Sequence, residues 1–265
     1  MTKPRVLILH ATGTNRDREA AQAIELAGGQ AEIVHVNQLR EGTRQLAGYQ
    51  MLVLPGGFSY GDDLGAGRLW ASDVRHMLMD QVGPFIEAGN PVIGICNGFQ
   101  ALVKSGFLPG SVPGIESDDA IHATLTRNAS NRFECRWVWL EPDPNSPCVF
   151  TRGLTERVTC PVAHGEGRFV PRDEAILQAL QANHMLALRY VSADGSPGPA
   201  GYPANPNGSV ADIASICSPS GTVFGLMPHP EDHIFAEQHP RWTRGERGNL
   251  GLAIFQSGIR YAEQI

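Results

Sequence analysis

Short apolar runs recur along the chain at Val6 to Leu9, Ile33 to Val36, Met51 to Leu54 and Val92 to Ile95. Between the first two, Ala20, Ala23, Ile24 and Ala27 share one face at helical spacing and Gly28-Gly29 closes the stretch, which predicts strand, helix and stop. A further helix is expected over about Ser72 to Glu87. Apolar strands alternating with amphipathic helices indicate a parallel sheet covered on both faces.

The pattern changes in the middle of the chain. Ala120 to Thr126, Phe133 to Leu140 and Val158 to Ala163 are strand-like, with turn formers such as Pro142-Asp143-Pro144-Asn145 between them, so an antiparallel extension of the sheet is expected. Met185 to Val191, Val210 to Cys217 and Thr222 to Met227 add strands, the Gly- and Pro-rich stretch from Asp194 to Gly208 reads as a loop, and a last helix is expected over about Leu250 to Tyr261. No stretch has the composition of a linker or a repeat. Residues 1–265 are therefore expected to form one α/β domain with a mostly parallel open sheet, flanking helices and an antiparallel extension.

Composition narrows the function. Hydrophobic residues make up 42% and charged residues 18%, the profile of a chain that buries a core. Twenty-one Lys and Arg stand against 27 Asp and Glu, a formal charge of −6 with neither sign gathered into a block. Nucleic acid is excluded as a partner on this ground, because phosphate binding needs a concentrated positive face. The chain starts Met1-Thr2-Lys3-Pro4 and runs straight into the first apolar run, which is too short for a signal segment or a membrane span, so a cytoplasmic location is expected. Five cysteines, Cys96, Cys135, Cys148, Cys160 and Cys217, lack any C-x-x-C pair, which fits neither a disulfide framework nor a zinc knuckle. No metal site is expected.

Val92-Ile93-Gly94-Ile95-Cys96-Asn97-Gly98-Phe99-Gln100 carries the most chemistry. An apolar strand runs into Gly-x-Cys-x-Gly and then into a helix, the nucleophile-elbow pattern with Cys in place of Ser. Glycines at the flanks let the turn approach its neighbours, and the start of a helix offers partial positive charge that favours the thiolate. The backbone N–H of Asn97 points where a tetrahedral oxyanion would form, and losing such a donor typically costs about 3–4 kcal/mol. Met51 to Leu54 leads into Pro55-Gly56-Gly57-Phe58, a second strand ending in a glycine pair whose N–H groups can turn toward a ligand, and Gly57 is the expected second oxyanion donor. Gly65-Ala66-Gly67-Arg68-Leu69-Trp70 starts like a dinucleotide fingerprint but lacks the third glycine and a preceding strand.

Two histidines compete as the general base. Met227-Pro228-His229-Pro230-Glu231 ends an apolar strand with a histidine between two prolines. In an extended segment His229 and Glu231 face the same way, so the carboxylate can hold the imidazole in the tautomer that serves Cys96. His164-Gly165-Glu166-Gly167-Arg168-Phe169 is the rival, and spacing alone does not decide between them.

Taken together, Gly94 to Gln100, Pro55-Gly56-Gly57-Phe58-Ser59-Tyr60-Gly61-Asp62 and Met227 to Glu231 resemble the class I (triad) glutamine amidotransferases. His164 to Phe169, Asn128 to Arg136 and Asn205-Pro206-Asn207-Gly208-Ser209 extend the likeness over nearly the whole chain, toward the glutaminase subunits of phosphoribosylformylglycinamidine synthase. The resemblance implies that Cys96 forms a glutamyl thioester, that His229 shuttles protons, and that Glu231 orients it. It also implies glutamine contacts at Gly57, Phe58, Asn97 and Gln100, with His164 and Glu166 near glutamine or the partner. Asp232 departs from the family, where Arg is more usual, and Gly65 to Trp70 is closer to the fused, large form of the synthase.

The implied reaction is hydrolysis of glutamine to glutamate and ammonia, with the ammonia passed to the synthetase that makes formylglycinamidine ribonucleotide. No Walker-type phosphate loop occurs in the sequence, so no cofactor is expected on this chain, and ATP and Mg are expected on the large synthetase subunit, with a small accessory subunit as a further partner. Service to another synthetase, such as one for GMP or CTP, and a catalytically silent module of the same fold are the alternatives.

Overall fold

The computed structural model describes residues 3–116, 121–196 and 198–265. Its main sheet has nine strands in the order β2-β1-β3-β4-β11-β10-β9-β6-β7. These are β1 (Arg5–His10), β2 (Gln30–His35), β3 (Met51–Leu54), β4 (Val92–Ile95), β6 (Glu134–Pro142), β7 (Val158–His164), β9 (Leu188–Val191), β10 (Ile213–Cys217) and β11 (Val223–Leu226). From β2 across to β11 the pairings are parallel, and from β11 across to β7 they are antiparallel. The helices are α1 (Asp17–Leu26), α2 (Val36–Arg40), α3 (Arg68–His76), α4 (Met79–Glu87), α5 (Asn97–Lys104), α6 (Glu174–Ala182), the short turn α7 (Gly201–Ala204) and α8 (Leu252–Ala262). No helix among the described residues is long and apolar enough to cross a membrane.

The parallel half matches the pattern of apolar runs because β3, β4 and β11 are buried along their whole length, and a strand covered on both faces reads as a continuous apolar run. Several expectations need correction. The single helix expected over Ser72 to Glu87 is two, α3 and α4, broken at Met77-Leu78, where the bend drives Leu78 fully into the core and leaves Met77 and Met79 outside. Val210 to Asp212 is a tight turn with Ala211 and Asp212 at positive φ, so the strand expected from Val210 begins at Ile213. Likewise the run from Met185 becomes strand only at Leu188.

The expected strand from Ala120 starts at Ala123, and Ala120 itself lies outside the described residues, as does Pro197 in the expected loop. That strand, β5 (Ala123–Thr126), does not join the main sheet but pairs antiparallel with β8 (Arg168–Pro171) in a sheet of two. The antiparallel extension is instead built from β10, β9, β6 and β7.

Carboxyl ends of the parallel strands β3, β4 and β11 lie side by side, which is where open α/β sheets bind ligands. The turn from β4 into α5 depends on close backbone approach. A Cβ at Gly98 would lie 2.0 Å from the Leu54 carbonyl oxygen of β3, and one at Gly94 would lie 2.6 Å from Leu102 Cδ1 and 2.8 Å from the Gly98 carbonyl carbon. Because the obstacle at Gly98 is backbone, the strain of a methyl group cannot be relieved by a side-chain rotation. Gly98→Ala is expected to destabilise the protein by about 3 kcal/mol, read as a lower urea midpoint, and an unchanged midpoint would contradict this close approach.

Candidate active site

Cys96 sits between β4 and α5 with φ 48° and ψ −101°, a conformation that costs a non-glycine residue of order 1–3 kcal/mol and that clusters at functional sites. The turn is tied down on both sides: the Cys96 N–H donates to Leu226 O of β11 at 2.8 Å, and Gln100 N–H donates to Cys96 O at 3.0 Å. The side chain leaves the strand at its end, as the elbow pattern predicts, but it enters an enclosed site, with Cys96 only 4% exposed. Asn97 is the first residue of α5, so its N–H belongs to the helix start, where backbone donors lack intrahelical acceptors.

His229 lies beside the thiol. A Cβ at Gly56 would fall 2.6 Å from His229 Cε1 and 3.6 Å from Cys96 Cβ, so glycine at position 56 is what admits the imidazole. The glycine pair signalled a close approach at this loop, and the oxyanion role expected at Gly57 is a separate one. Gly57, at φ 133°, pairs with Thr14 in an isolated bridge, and a Cβ there would lie 2.7 Å from Asn15 N, so it fastens this loop to the end of β1.

His229 Nδ1 and Glu231 Oε1 are 2.7 Å apart, and both side chains are buried. The geometry that joins them differs from the expected extended run: Pro230–Asp232 form a 3-10 turn, and it is the turn, not strand alternation, that brings the carboxylate round to the ring. His229 N–H donates to Pro161 O of β7 at 2.8 Å, which anchors the segment. Among the described residues Nε2 has no well-formed hydrogen-bond partner, and the Cys96 thiol is the group it faces. Burial opposes a charge on His229, yet the Glu231 carboxylate and then Cys96 act the other way and lift its pKa well above the ordinary histidine value. A buried carboxylate with one cationic partner is strongly coupled to that partner.

His164 takes a different role. Its Nε2 is 3.2 Å from Asn207 Nδ2, which also donates to the Tyr190 hydroxyl. The Asn207 amide is oriented by its oxygen, which accepts from Ser209 N and Ser209 Oγ at 3.0 and 2.7 Å. An amide nitrogen donates, so Nε2 of His164 accepts and the proton resides on Nδ1. Burial, and then the charge of His229, push its pKa down to about 3, so His164 is a neutral imidazole throughout the physiological range. Asn128 holds the turn that follows, donating to His164 O at 2.8 Å and accepting from Gly167 N at 2.9 Å.

The remaining expected residues form a polar rim around α5. Asn97 Nδ2 donates to Asp62 Oδ1 at 2.8 Å and to Gln100 Oε1 at 3.0 Å, while Gln100 Nε2 donates to Glu166 O at 2.6 Å. Glu166 Oε2 accepts from Ala66 N at 3.3 Å and lies 3.9 Å from Lys104 Nζ. Burial raises the Asp62 pKa and lowers that of Lys104. Phe58 is 47% exposed and stacks on Phe133, itself 54% exposed, at 6.5 Å between ring centres. Asp62, Lys104, Asn128 and Asn207 were not singled out as site residues, and only their place in quoted motifs pointed to the last two and Asp62.

Asp232 adds a second carboxylate. One ligand-capable atom from each of His229, Glu231 and Asp232 lies within 4.8 Å of the others, the one such cluster among the described residues. Burial and then Glu231 raise the Asp232 pKa to about 6, with His229 and Arg16 opposing. Since the folded value exceeds the ordinary 3.8, the native state binds the extra proton between those limits. The stability linked to that proton is fully present below about pH 4 and is lost as pH rises through 6. Asp232→Asn is therefore expected to raise the melting temperature at pH 8, by the equivalent of about 2–3 kcal/mol at most, and to leave it nearly unchanged at pH 4. Equal effects at both pH values would contradict this assignment.

The family model described as "CobB/CobQ-like glutamine amidotransferase domain" matches residues 3–262. Phosphoribosylformylglycinamidine synthase subunit PurQ of Treponema denticola is 47% identical over 98% of this chain and 99% of its own length. The protein of the same name from Dehalococcoides mccartyi is 46% identical, with both chains covered in full. Among solved structures, a chain from the structure of PurLQS from Thermotoga maritima superposes with a TM-score of 0.72 at 32% identity, over 98% of this chain and 99% of that one.

Proposed function

This chain belongs to the CobB/CobQ-like glutamine amidotransferase family, and on that premise we propose that it is the glutaminase subunit of a phosphoribosylformylglycinamidine synthase. It releases ammonia from L-glutamine for the synthetase that converts formylglycinamide ribonucleotide to formylglycinamidine ribonucleotide in purine biosynthesis. The observation that carries the reading is Cys96 at a strained turn beside the buried His229–Glu231 pair. Full-length similarity to proteins named PurQ supports the choice of synthetase over one for GMP or CTP.

The reaction proceeds in two halves. The Cys96 thiolate adds to the carboxamide carbon, and the oxyanion that forms takes hydrogen bonds from the N–H groups of Asn97 and Gly57. As the C–N bond breaks, His229 gives its proton to the departing nitrogen, ammonia leaves, and the glutamyl thioester remains. His229, now neutral and oriented by Glu231, takes a proton from water. The hydroxide so formed adds to the thioester, the C–S bond breaks, and glutamate is released. Gln100, Phe58, Glu166 and the neutral His164 contact glutamine or the ordered loops around it.

The chain carries no cofactor of its own in this proposal; ATP and Mg belong to the large synthetase subunit, which takes up the ammonia, with a small accessory subunit in the assembly. The setting proposed is the cytoplasm. Residues 1–265 act as one domain, a reading supported by a main sheet that draws strands from Arg5 through to Leu226.

A glutamine-mimicking electrophile is expected to label Cys96 alone, as read by peptide mapping. Attachment at another cysteine would remove the nucleophile assignment. Cys96→Ala is expected to abolish glutamine-dependent synthesis by the assembled complex while synthesis from added ammonium salts persists; loss of both rates would mean that Cys96 is needed for assembly instead.

A further inference from the structure

The turn that delivers Glu231 to His229 continues directly into Asp232. Its carboxylate belongs to the same cluster, within 4.8 Å of ligand atoms of His229 and Glu231, and its side chain is 21% exposed. Arg16, the residue that precedes α1, reaches it: Nη1 lies 3.5 Å from Asp232 Oδ1 and 3.1 Å from Glu19 Oε1. Two carboxylates thus lie against one imidazole, one sealed in the core and one held at the edge of solvent by a cation from another element.

We propose that Asp232, tethered by Arg16, is a positioning residue of the proton relay, a second carboxylate that sets the basicity of His229 through space. This proposal rests on the glutaminase reading, in which His229 exchanges protons with Cys96 and the leaving ammonia. An ionised carboxylate beside an imidazole favours the imidazolium. Glu231 supplies that effect through a hydrogen bond that is shut off from solvent. Asp232 is partly open to water, and it titrates near neutrality because burial and Glu231 oppose its charge. His229 and then Arg16 oppose them in turn, which leaves the carboxylate ionised above about pH 6.

The groups that face Asp232 are few. Its own turn supplies His229 and Glu231. The loop before α1 and the helix itself supply Arg16 and Glu19, which act on Asp232, while Asp17 is engaged with His10 at 2.9 Å. Cys160 of β7 lies within electrostatic reach, and burial and then Glu231 hold its thiol well above the ordinary value, so it remains neutral. α8, which also packs on this turn, carries no charged residue before Arg260. The charge that can vary beside the relay is therefore that of Asp232, and Arg16 is the cation from outside the turn that acts on it.

The test is the pH dependence of Cys96 alkylation by iodoacetamide in the full chain, with mapping of the modified peptide, because alkylation needs no glutamine. Thiolate appears as pH rises through the acid limb, and a negative charge near the Cys96–His229 pair moves that limb up. Asp232→Asn is expected to lower its midpoint by about half a unit to one unit. Arg16→Ala, at a more exposed position, is expected to move the midpoint in the same direction by less, because Asp232 then stays protonated to higher pH. In the Asp232→Asn background Arg16→Ala is expected to give no further lowering, the non-additivity that marks action through a shared partner.

Loss of a cation acting directly on His229 would instead raise the midpoint with or without Asp232. That result, or an unmoved limb in Asp232→Asn, overturns the proposal. A residue that only stabilised the fold would change the plateau rate or the amount of folded protein and leave the midpoint in place. Should the midpoints shift as expected while the assembled complex still fails to use glutamine, the functional reading fails and the tuning of the relay stands.

Discussion

The backbone at Cys96 is held at φ 48° and ψ −101° because helix α5 must leave strand β4 almost in contact with strand β3. Gly98 passes so close to Leu54 that no side chain fits, and the hydrogen bond from Cys96 N to Leu226 O joins the same turn to β11. Three strand ends are thereby locked to one residue. The strain there, of order 1–3 kcal/mol, is offset by the fully buried strands on either side, and it persists because every neighbour is fixed by pairing with the next. The rest of the site inherits this fixed point: Gly56 arrives on β3, His229 on β11, and the start of α5 brings Asn97 and Gln100.

Around the thiol the protein arranges three imidazole and carboxylate environments with different charge states. His229 is driven toward the cationic form by Glu231 and Cys96 in spite of burial. His164, buried without a carboxylate partner among the described residues and locked as an acceptor at Nε2 by Asn207, stays neutral. Asp232 lies between solvent and core, its pKa raised to about 6 by burial and Glu231 against the opposing charges of His229 and Arg16. Pairs of titratable groups pushed apart in this way are how one site supplies an acid, a base and an uncharged neighbour at one pH.

Much of this was legible in the chain before any coordinates. Met51 to Leu54 and Val92 to Ile95 coincide with β3 and β4 because strands buried on both faces leave an uninterrupted apolar run. The Gly-x-Cys-x-Gly pattern pointed to the elbow for a steric reason that the structure bears out. Features set by tertiary packing were harder to read. The break between α3 and α4 answers to the burial of Leu78, and helical periodicity carries no mark of it. β8 and α6, at Arg168–Pro171 and Glu174–Ala182, are elements of only four and nine residues directly after the His164 motif. The room that Gly56 leaves for the imidazole shows only once the ends of β3 and β11 are brought together around β4, and the union of His229 with Glu231 came through a turn that two prolines alone do not specify. Long-range partners such as Asn207 for His164 and Arg16 for Asp232 become neighbours only when the sheet is assembled.

During turnover the sulfur of Cys96 bonds covalently to the carbon of the glutamine side-chain amide in the proposed reaction. Acid quenching of the assembled complex while it consumes glutamine, followed by mass spectrometry of its peptides, measures this most directly. A glutamyl group attached to the peptide that contains Cys96, absent when glutamine is withheld, is expected. Steady turnover with the acyl group on another residue would contradict it.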